Sequence, residues 1–310
     1  MTALICGSLA FDTIMSFGGR FSEALLADQL HKINVAFLVP SMRREFGGCA
    51  GNIAYNLKLL GGDPLIMATI GQDGNDYHER LDQLEISRRC IRTIADAYTA
   101  QAFITTDAGS NQITAFHPGA MSVSFENKVA DAGAVKLAII APDGRDGMLQ
   151  HAQQCADLGV PFIFDPGQGL PMFDGAELTR FIELATWVAV NDYEAEMLME
   201  RTGLSLSDIA GKVDALVVTR GEHGSEIHTG GKRIDIPCVP VEKVVDPTGC
   251  GDAFRAGMMH GLSRGYDWET TGRIASLMGA IKIIHQGGQN HAPSLAEIEE
   301  RFEQAFGYRF

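Results

Sequence analysis

A mostly parallel, doubly wound α/β sheet with helices on both faces is the fold this sequence predicts, and three observations carry it. From about residue 135 onward, short apolar runs alternate with helical segments, the pattern of strands covered on both faces. Each run ends in a polar or glycine-bearing segment: Asp143-Gly144, Asp165-Pro166-Gly167, Asn191-Asp192-Tyr193-Glu194 and Thr219-Arg220-Gly221. Ligands of such sheets bind at the carboxyl ends of the strands, so these segments share one prospective active-site edge. Late in the chain, Asp246-Pro247-Thr248-Gly249-Cys250-Gly251-Asp252 opens an apolar helical run, Ala253 to Met259.

Met1 to Gly7 reads as a first strand, ending just ahead of Asp12. Gly47-Gly48-Cys49-Ala50-Gly51-Asn52 is a glycine turn feeding the helical stretch Ile53 to Leu57. Further on, Leu137–Ile140, Pro161–Phe164, Trp187–Val190 and Ala215–Val218 are expected strands, with helices near 145–158, 175–185 and 192–201. Two stretches break this rhythm. Residues 13–45 hold Phe17, Phe37 and Leu38 without helical order, and 98–117 reads as a hairpin. Its arms are Ala102–Thr105 and Ile113–Phe116, and its turn is Ala108-Gly109-Ser110-Asn111.

At 310 residues the chain can bury a substantial core, and 45% hydrophobic with 21% charged residues are ordinary globular values. A net charge of −14 argues against nucleic acid or an anionic membrane as the main partner. Six scattered cysteines form no C-x-x-C pair, and no His cluster has zinc spacing; free thiols in a reducing cytoplasm are expected. The N-terminus lacks the basic region and apolar run of a signal peptide, and no apolar stretch approaches a membrane span.

The chemistry concentrates at Gly249 to Asp252. Glycine lets an anion approach the backbone, and the free N–H groups and dipole of a helix N-terminus favour a phosphate there. A carboxylate beside that anion site has a use as acceptor of the proton from a hydroxyl attacking the phosphate. Alone, Asp252 is equally an acid stabilising a helix dipole. No G-x-x-x-x-G-K-[ST] is present, and the dinucleotide pattern fails because Phe254 stands where its third glycine belongs.

Asp-Pro-Thr-Gly-Cys-Gly-Asp-Ala-Phe at 246–254 resembles the C-terminal signature of the ribokinase-like (phosphofructokinase B) family of sugar and nucleoside kinases. The 47–52 glycine turn resembles its N-terminal signature, about 200 residues earlier and in the family's order. The resemblance spans Gly7 to Gly287-Gly288 and implies one ribokinase-like catalytic domain over 1–310, with a small β-sheet lid inserted near 13–45 and 98–117.

Carried onto this sequence, the resemblance makes Asp252 the general base and Gly249, Cys250 and Gly251 the anion hole. Asp12 would accept bonds from the ribose hydroxyls, with Gly48 and Asn52 as further sugar contacts. Asn191 and Glu194 match the N-x-x-E that holds the water shell of Mg²⁺. Thr219, Gly221 and Gly224, with Asn191, would line the ATP site. Asp246, with carbonyls near Thr248 and from Lys282 to Gly287, is similar to a potassium site of many relatives. Gln168 is a possible substrate contact, or a turn residue. Cys250 stands where relatives usually carry alanine, and Pro247 where they carry Thr or Val; neither removes an N–H from the 249–252 turn.

The lid stretches are aromatic (Phe37, Phe103, Phe116), and a flat base needs such faces to stack on. The motifs also resemble most those of prokaryotic adenosine and nucleoside kinases, and the function this implies is ATP-dependent phosphorylation of the 5′-hydroxyl of a purine ribonucleoside: adenosine, with inosine or guanosine. A ribokinase-type free-sugar kinase and a catalytically silent nucleotide-binding protein are the alternatives. Mg²⁺ and ATP are implied, K⁺ and a homodimer are possible, and the aromatics could equally be lid core.

Overall fold

The computed structural model describes residues 2–24, 34–109 and 111–310. Positions 25–33 of the first expected lid stretch, Ser110 of the expected turn and Met1 of the expected first strand lie outside the described residues. Among the described residues, thirteen strands run β1 Thr2–Cys6, β2 Ala10–Ser16, β3 Ser41–Gly47, β4 Asp63–Gly71, β5 Ser87–Ile94, β6 Ala100–Thr106, β7 Gln112–His117, β8 Leu137–Ile140, β9 Phe162–Phe164, β10 Trp187–Asn191, β11 Ala215–Thr219, β12 Ser225–Thr229 and β13 Lys232–Ile236. The helices are α1 Phe21–Ala24, α2 Cys49–Leu59, α3 Asn75–Gln83, α4 Arg145–Asp157, α5 Gly175–Leu184, α6 Asp192–Thr202, α7 Leu206–Lys212, α8 Cys250–Arg264, α9 Trp268–Ile283 and α10 Leu295–Phe306.

The large sheet has the order β13-β12-β11-β10-β9-β8-β1-β4-β5. From β11 to β5 every pairing is parallel, and the β11–β12 and β12–β13 pairings are antiparallel. Side chains alternate between the two faces of a strand, and both faces here are buried. Ala3 and Ile5 of β1 enter one core with α2, α8 and α9 (Ile53, Met258, Ala275). Leu4 and Cys6 enter the other with α4, α5 and α6 (Met148, Phe181, Leu198). That double burial is why the strands read as unbroken apolar runs. Progression reverses at β1, which lies between β4 and β8, and a crevice opens at such a switch point.

A second sheet, β3-β2-β6-β7, forms from the two stretches that break the rhythm. Its 100–117 hairpin has the expected arms, with Ala102 opposite Phe116 and Thr105 opposite Ile113. Strands β2 and β3 carry no local sequence signal, because β2 is held by β6, some 90 residues away in sequence, on one side and by β3 on the other. One expectation is corrected here. Asp12 does not simply cap the first strand: β1 ends at Cys6, the chain turns, and Asp12 lies inside β2 of the small sheet. Phe37 packs on Phe17 and Phe21, with ring centroids 4.9 and 5.1 Å apart, so it belongs to a local aromatic cluster.

Candidate active site

Three glycine segments meet around one side chain, Asn52 of α2. Gly249 precedes α8 in the left-handed region, at φ 76°, where glycine carries no Cβ penalty. A Cβ on Gly249 would sit 3.2 Å from Gly288 Cα and 3.4 Å from Asn52 Nδ2, and one on Gly288 would overlap the Asn52 amide. Gly48, at φ 85°, passes so close to Ser8 and Ala10 that a Cβ would lie 2.6 Å from Ala10 N. Asn52 Nδ2 donates to Asp252 Oδ2 at 2.8 Å, joining the two signatures across 200 residues.

The asparagine is itself held. Gln289 Nε2 donates to Asn52 Oδ1 (3.2 Å) and to Tyr77 Oη (2.9 Å), and Tyr77 Oη donates to Gly47 O (2.7 Å). Gly51 permits this network, because any Cβ there would overlap the Tyr77 hydroxyl. Burial pushes the Asp252 carboxyl up to about 6, with Asp165 adding to the rise and the Asn52 and Arg255 contacts opposing it. A carboxylate so placed is ionised at neutral pH yet basic enough to take a proton.

Behind Asp252 lies Arg255, 4% exposed, on the next turn of α8. Its Nη2 donates to Asp165 Oδ1 at 3.1 Å and Ala189 O at 3.2 Å, and Glu194 Oε2 is 4.0 Å away. Its Nε and Nη1 are buried with no partner among the described residues. One guanidinium thus faces three carboxylates, and the burial-raised Asp165 and Glu194 are both drawn back down by it. Sequence reasoning passed over Arg255 as part of an apolar helix. A single arginine inside Ala253–Met259 was the available signal, since a charge on a buried helix face needs a partner.

Asp12 lies against Gly47, and Glu45 and Asn290 lie against Gly287. Asp12 stands opposite Glu45 in the β2–β3 register, and Glu45 Oε2 accepts from Asn290 Nδ2 at 2.7 Å. A Cβ on Gly47 would lie 2.6 Å from Asp12 Oδ2. Burial raises Asp12 to about 6, helped by Glu45 and Asp246. Paired residues share a face, so the row Asp12–Ala102–Phe116 places Phe116 on the Asp12 side of the small sheet, with only a methyl between. Phe116 is 53% exposed there. Phe103, in register with Thr13, is on the opposite face and is set apart from Phe116.

Along the large sheet's edge, Asn191 ends β10 in register with Thr219, which ends β11. Asn191 caps α6: its Oδ1 accepts from Glu194 N (2.7 Å) and Glu194 Oε2 accepts from Asn191 N (2.8 Å). N-x-x-E is therefore also a capping box here, a reading the spacing allowed. Gly221 (φ 53°) and Gly224 (φ 79°) bracket a tight turn, and a Cβ on Gly221 would meet open space. Gln168 is exposed on a 3₁₀ turn over 167–172, with no side-chain partner among the described residues. Among the described residues no three His, Cys, Asp or Glu side chains converge to ligate a metal directly. The hard oxygens left over at Asn191 and Glu194 suit outer contacts to a hydrated Mg²⁺.

Both carboxylate oxygens and the carbonyl of Asp246 have donors. Its Oδ1 accepts from Thr248 N and its Oδ2 from Gly287 N, each at 2.8 Å. Its carbonyl accepts from Lys282 Nζ at 2.6 Å, and that ammonium also donates to His285 O at 3.1 Å. The expected cradle for potassium thus already holds a cation belonging to the chain, and a metal ion does not fit beside it. Cys250 is half-buried, its thiol pushed up to about 11 chiefly by burial, and its N–H, expected in the anion hole, donates instead to Pro247 O at 3.1 Å. All six cysteines are free. No helix among the described residues is long and apolar enough to cross a membrane.

Comparison with known proteins places this geometry. The pfkB family carbohydrate kinase model matches residues 16–295. The chain is 32% identical over 273 residues to a nucleoside kinase of Methanocaldococcus jannaschii, covering 87% of this chain and 90% of that protein. It is similar to the Burkholderia thailandensis nucleoside kinase solved with inosine, at 57% identity and TM-score 0.92, over 99% of this chain and 100% of the other. The same kinase solved with ADP-inosine superposes with TM-score 0.88 at 60% identity, over 99% and 97%. A Thermotoga maritima ribokinase, 20% identical with TM-score 0.81 over 98% and 99%, shares the ribokinase-like fold. A family match over most of the chain, with both signatures closing on one carboxylate, makes this protein a member of the pfkB family of carbohydrate kinases, phosphotransferases with an alcohol acceptor.

Proposed function

We propose that this chain is an ATP-dependent kinase of purine ribonucleosides, inosine and adenosine among them. The observation that carries the reading is the Asn52–Asp252 contact that joins the two signatures, together with the row Asp12–Ala102–Phe116 on one face of the small sheet. A nucleoside laid there has its ribose hydroxyls at Asp12, its base over Phe116 and its 5′-hydroxyl toward Asp252. Gly48 and Asn52 border the sugar, Asn52 also orienting Asp252, and the exposed Gln168 serves as a further substrate contact. Asp252 takes the 5′-hydroxyl proton as that oxygen attacks the γ-phosphorus of ATP, and the bond to the departing ADP oxygen breaks. The backbone N–H groups of Gly249 and Gly251 receive the charge on the transferring oxygens, that of Cys250 being bonded to Pro247 O.

Asn191, Thr219, Gly221 and Gly224 flank the ATP side, and Asn191 and Glu194 would hold the water shell of Mg²⁺, which would supply positive charge to the phosphates. The small sheet serves as a lid that excludes water, the whole chain acting as one catalytic domain. Met42, Phe103 and Ile113, exposed on the face away from Asp12, suit a homodimer. Six free cysteines fit a reducing cytoplasm.

Base stacking contributes roughly 1–3 kcal/mol, so inosine or adenosine is expected to exceed ribose in kcat/KM by at least about tenfold. Steady-state kinetics at fixed Mg-ATP decides this. Ribose equal to the nucleosides would make the chain a free-sugar kinase, and no ADP release with any of them would make it a silent nucleotide binder.

Cys250→Ala is expected to keep near-normal turnover, because its N–H is bonded to Pro247 O in either residue and the thiol stays protonated. A folded alanine variant slower by about a hundredfold, the scale of a lost proton-transfer group, contradicts that assignment.

A further inference from the structure

The loop that delivers Gly249 to the active site is anchored by a buried lysine. Lys282, fully buried, lies in the last turn of α9, and its ammonium reaches two carbonyl oxygens, Asp246 O and His285 O. An ammonium has three donors and no acceptor, so carbonyls are its natural partners as they are those of a monovalent metal ion. The rest of the cradle is closed. Asp246 spends its carboxylate oxygens on Thr248 N and Gly287 N, and Ile283 O accepts from Val245 N and Asp246 N at 2.9 and 3.1 Å. Burial lowers the proton affinity of Lys282, while the charges of Asp246 and Asp252 favour its ionised form. A metal cation entering here would meet a like charge in a poorly solvated place.

We infer that the Lys282 ammonium is a built-in replacement for a monovalent metal ion, fixing the 246–249 loop and placing a permanent positive charge beneath the anion hole, so that this kinase works without potassium. The kinetic arm of the test rests on the phosphotransfer reading above; the thermal arm does not. Wild-type kcat/KM in tetramethylammonium and in potassium buffers of equal ionic strength should agree within about twofold, the scale left once screening is matched. The thermal midpoint should likewise be the same in both.

Lys282→Ala should lower kcat by about 10²-fold, the worth of one preorganised electrostatic contact. Potassium or ammonium should restore much of that loss and raise the variant's midpoint, because a ligand of the native state stabilises it. Tetramethylammonium, too large for the cradle, should do neither. Stimulation of the wild type by potassium of about tenfold or more overturns the inference, as does a folded Lys282→Ala protein whose midpoint ignores potassium. Should the alanine chain fail to fold, Lys282→Gln carries the same comparison, and the wild-type arm decides by itself. Absence of any ADP release in wild type, with thermal behaviour as expected, rejects the kinase reading and leaves the cation replacement standing.

Discussion

Asp252→Asn is expected to lower kcat by about 10²–10⁴-fold, the usual worth of a positioned general base, with little change in nucleoside affinity. The asparagine is nearly isosteric and can offer its carbonyl to Asn52 Nδ2, so the 2.8 Å contact across the two signatures survives. What disappears is the proton acceptor. Since burial places the Asp252 carboxyl at about 6, the wild-type kcat/KM should fall as pH drops below that value, well above the ordinary carboxylate range. Asp12 is raised to about 6 as well, so two protons accumulate in the free enzyme over the same interval. The acid limb of log kcat/KM should steepen toward a slope of about two, and Asp12→Asn should reduce it to about one. A pH series with both variants measures this, and an Asp252→Asn protein retaining half of wild-type turnover removes Asp252 from the reaction.

Arg255→Met should be the most damaging substitution for stability. Removing one partner of a buried pair leaves the other charge uncompensated, at a cost of about 3–5 kcal/mol. Asp165, 5% exposed, loses its 3.1 Å contact, and Glu194 and Asp252 lose the positive charge that opposes their own burial. In the variant the folded-state pKa of Asp165 rises further above its unfolded value. Its contribution to stability is then fully present at low pH and is lost as pH rises through that raised value. Urea unfolding at several pH values reads this directly. Adding Asp165→Asn to Arg255→Met should recover part of the loss, since the stranded charge is gone. A single variant that costs under about 1 kcal/mol, in the range of an exposed pair, means Arg255 is not neutralising the cluster.

Whatever depends on short-range pattern was legible in the residues alone. Unbroken apolar runs between helical segments could only be strands buried on both faces, which required a parallel sheet and put the strand-end residues Asp165, Asn191 and Thr219 along one edge. Glycine followed by an apolar helix likewise located the Gly249–Asp252 turn, because left-handed backbone and a free helix N-terminus are local properties.

Tertiary structure decided whatever depended on partners distant in the chain. Strands β2 and β3 are stabilised by a sheet whose members are scattered between residues 10 and 117, so their own residues show no period that announces them. Cross-strand register, invisible to composition, put Phe116 on the Asp12 face and Phe103 on the other. Asn191 and Glu194 had a second use as a capping box that only backbone geometry could show engaged. Arg255 and Lys282 became legible last, because a charged residue in an apolar helix says that a buried partner exists but not which one. The carboxylate of Asp165 and the carbonyls of Asp246 and His285 come from other parts of the chain, and folding alone brings them within reach.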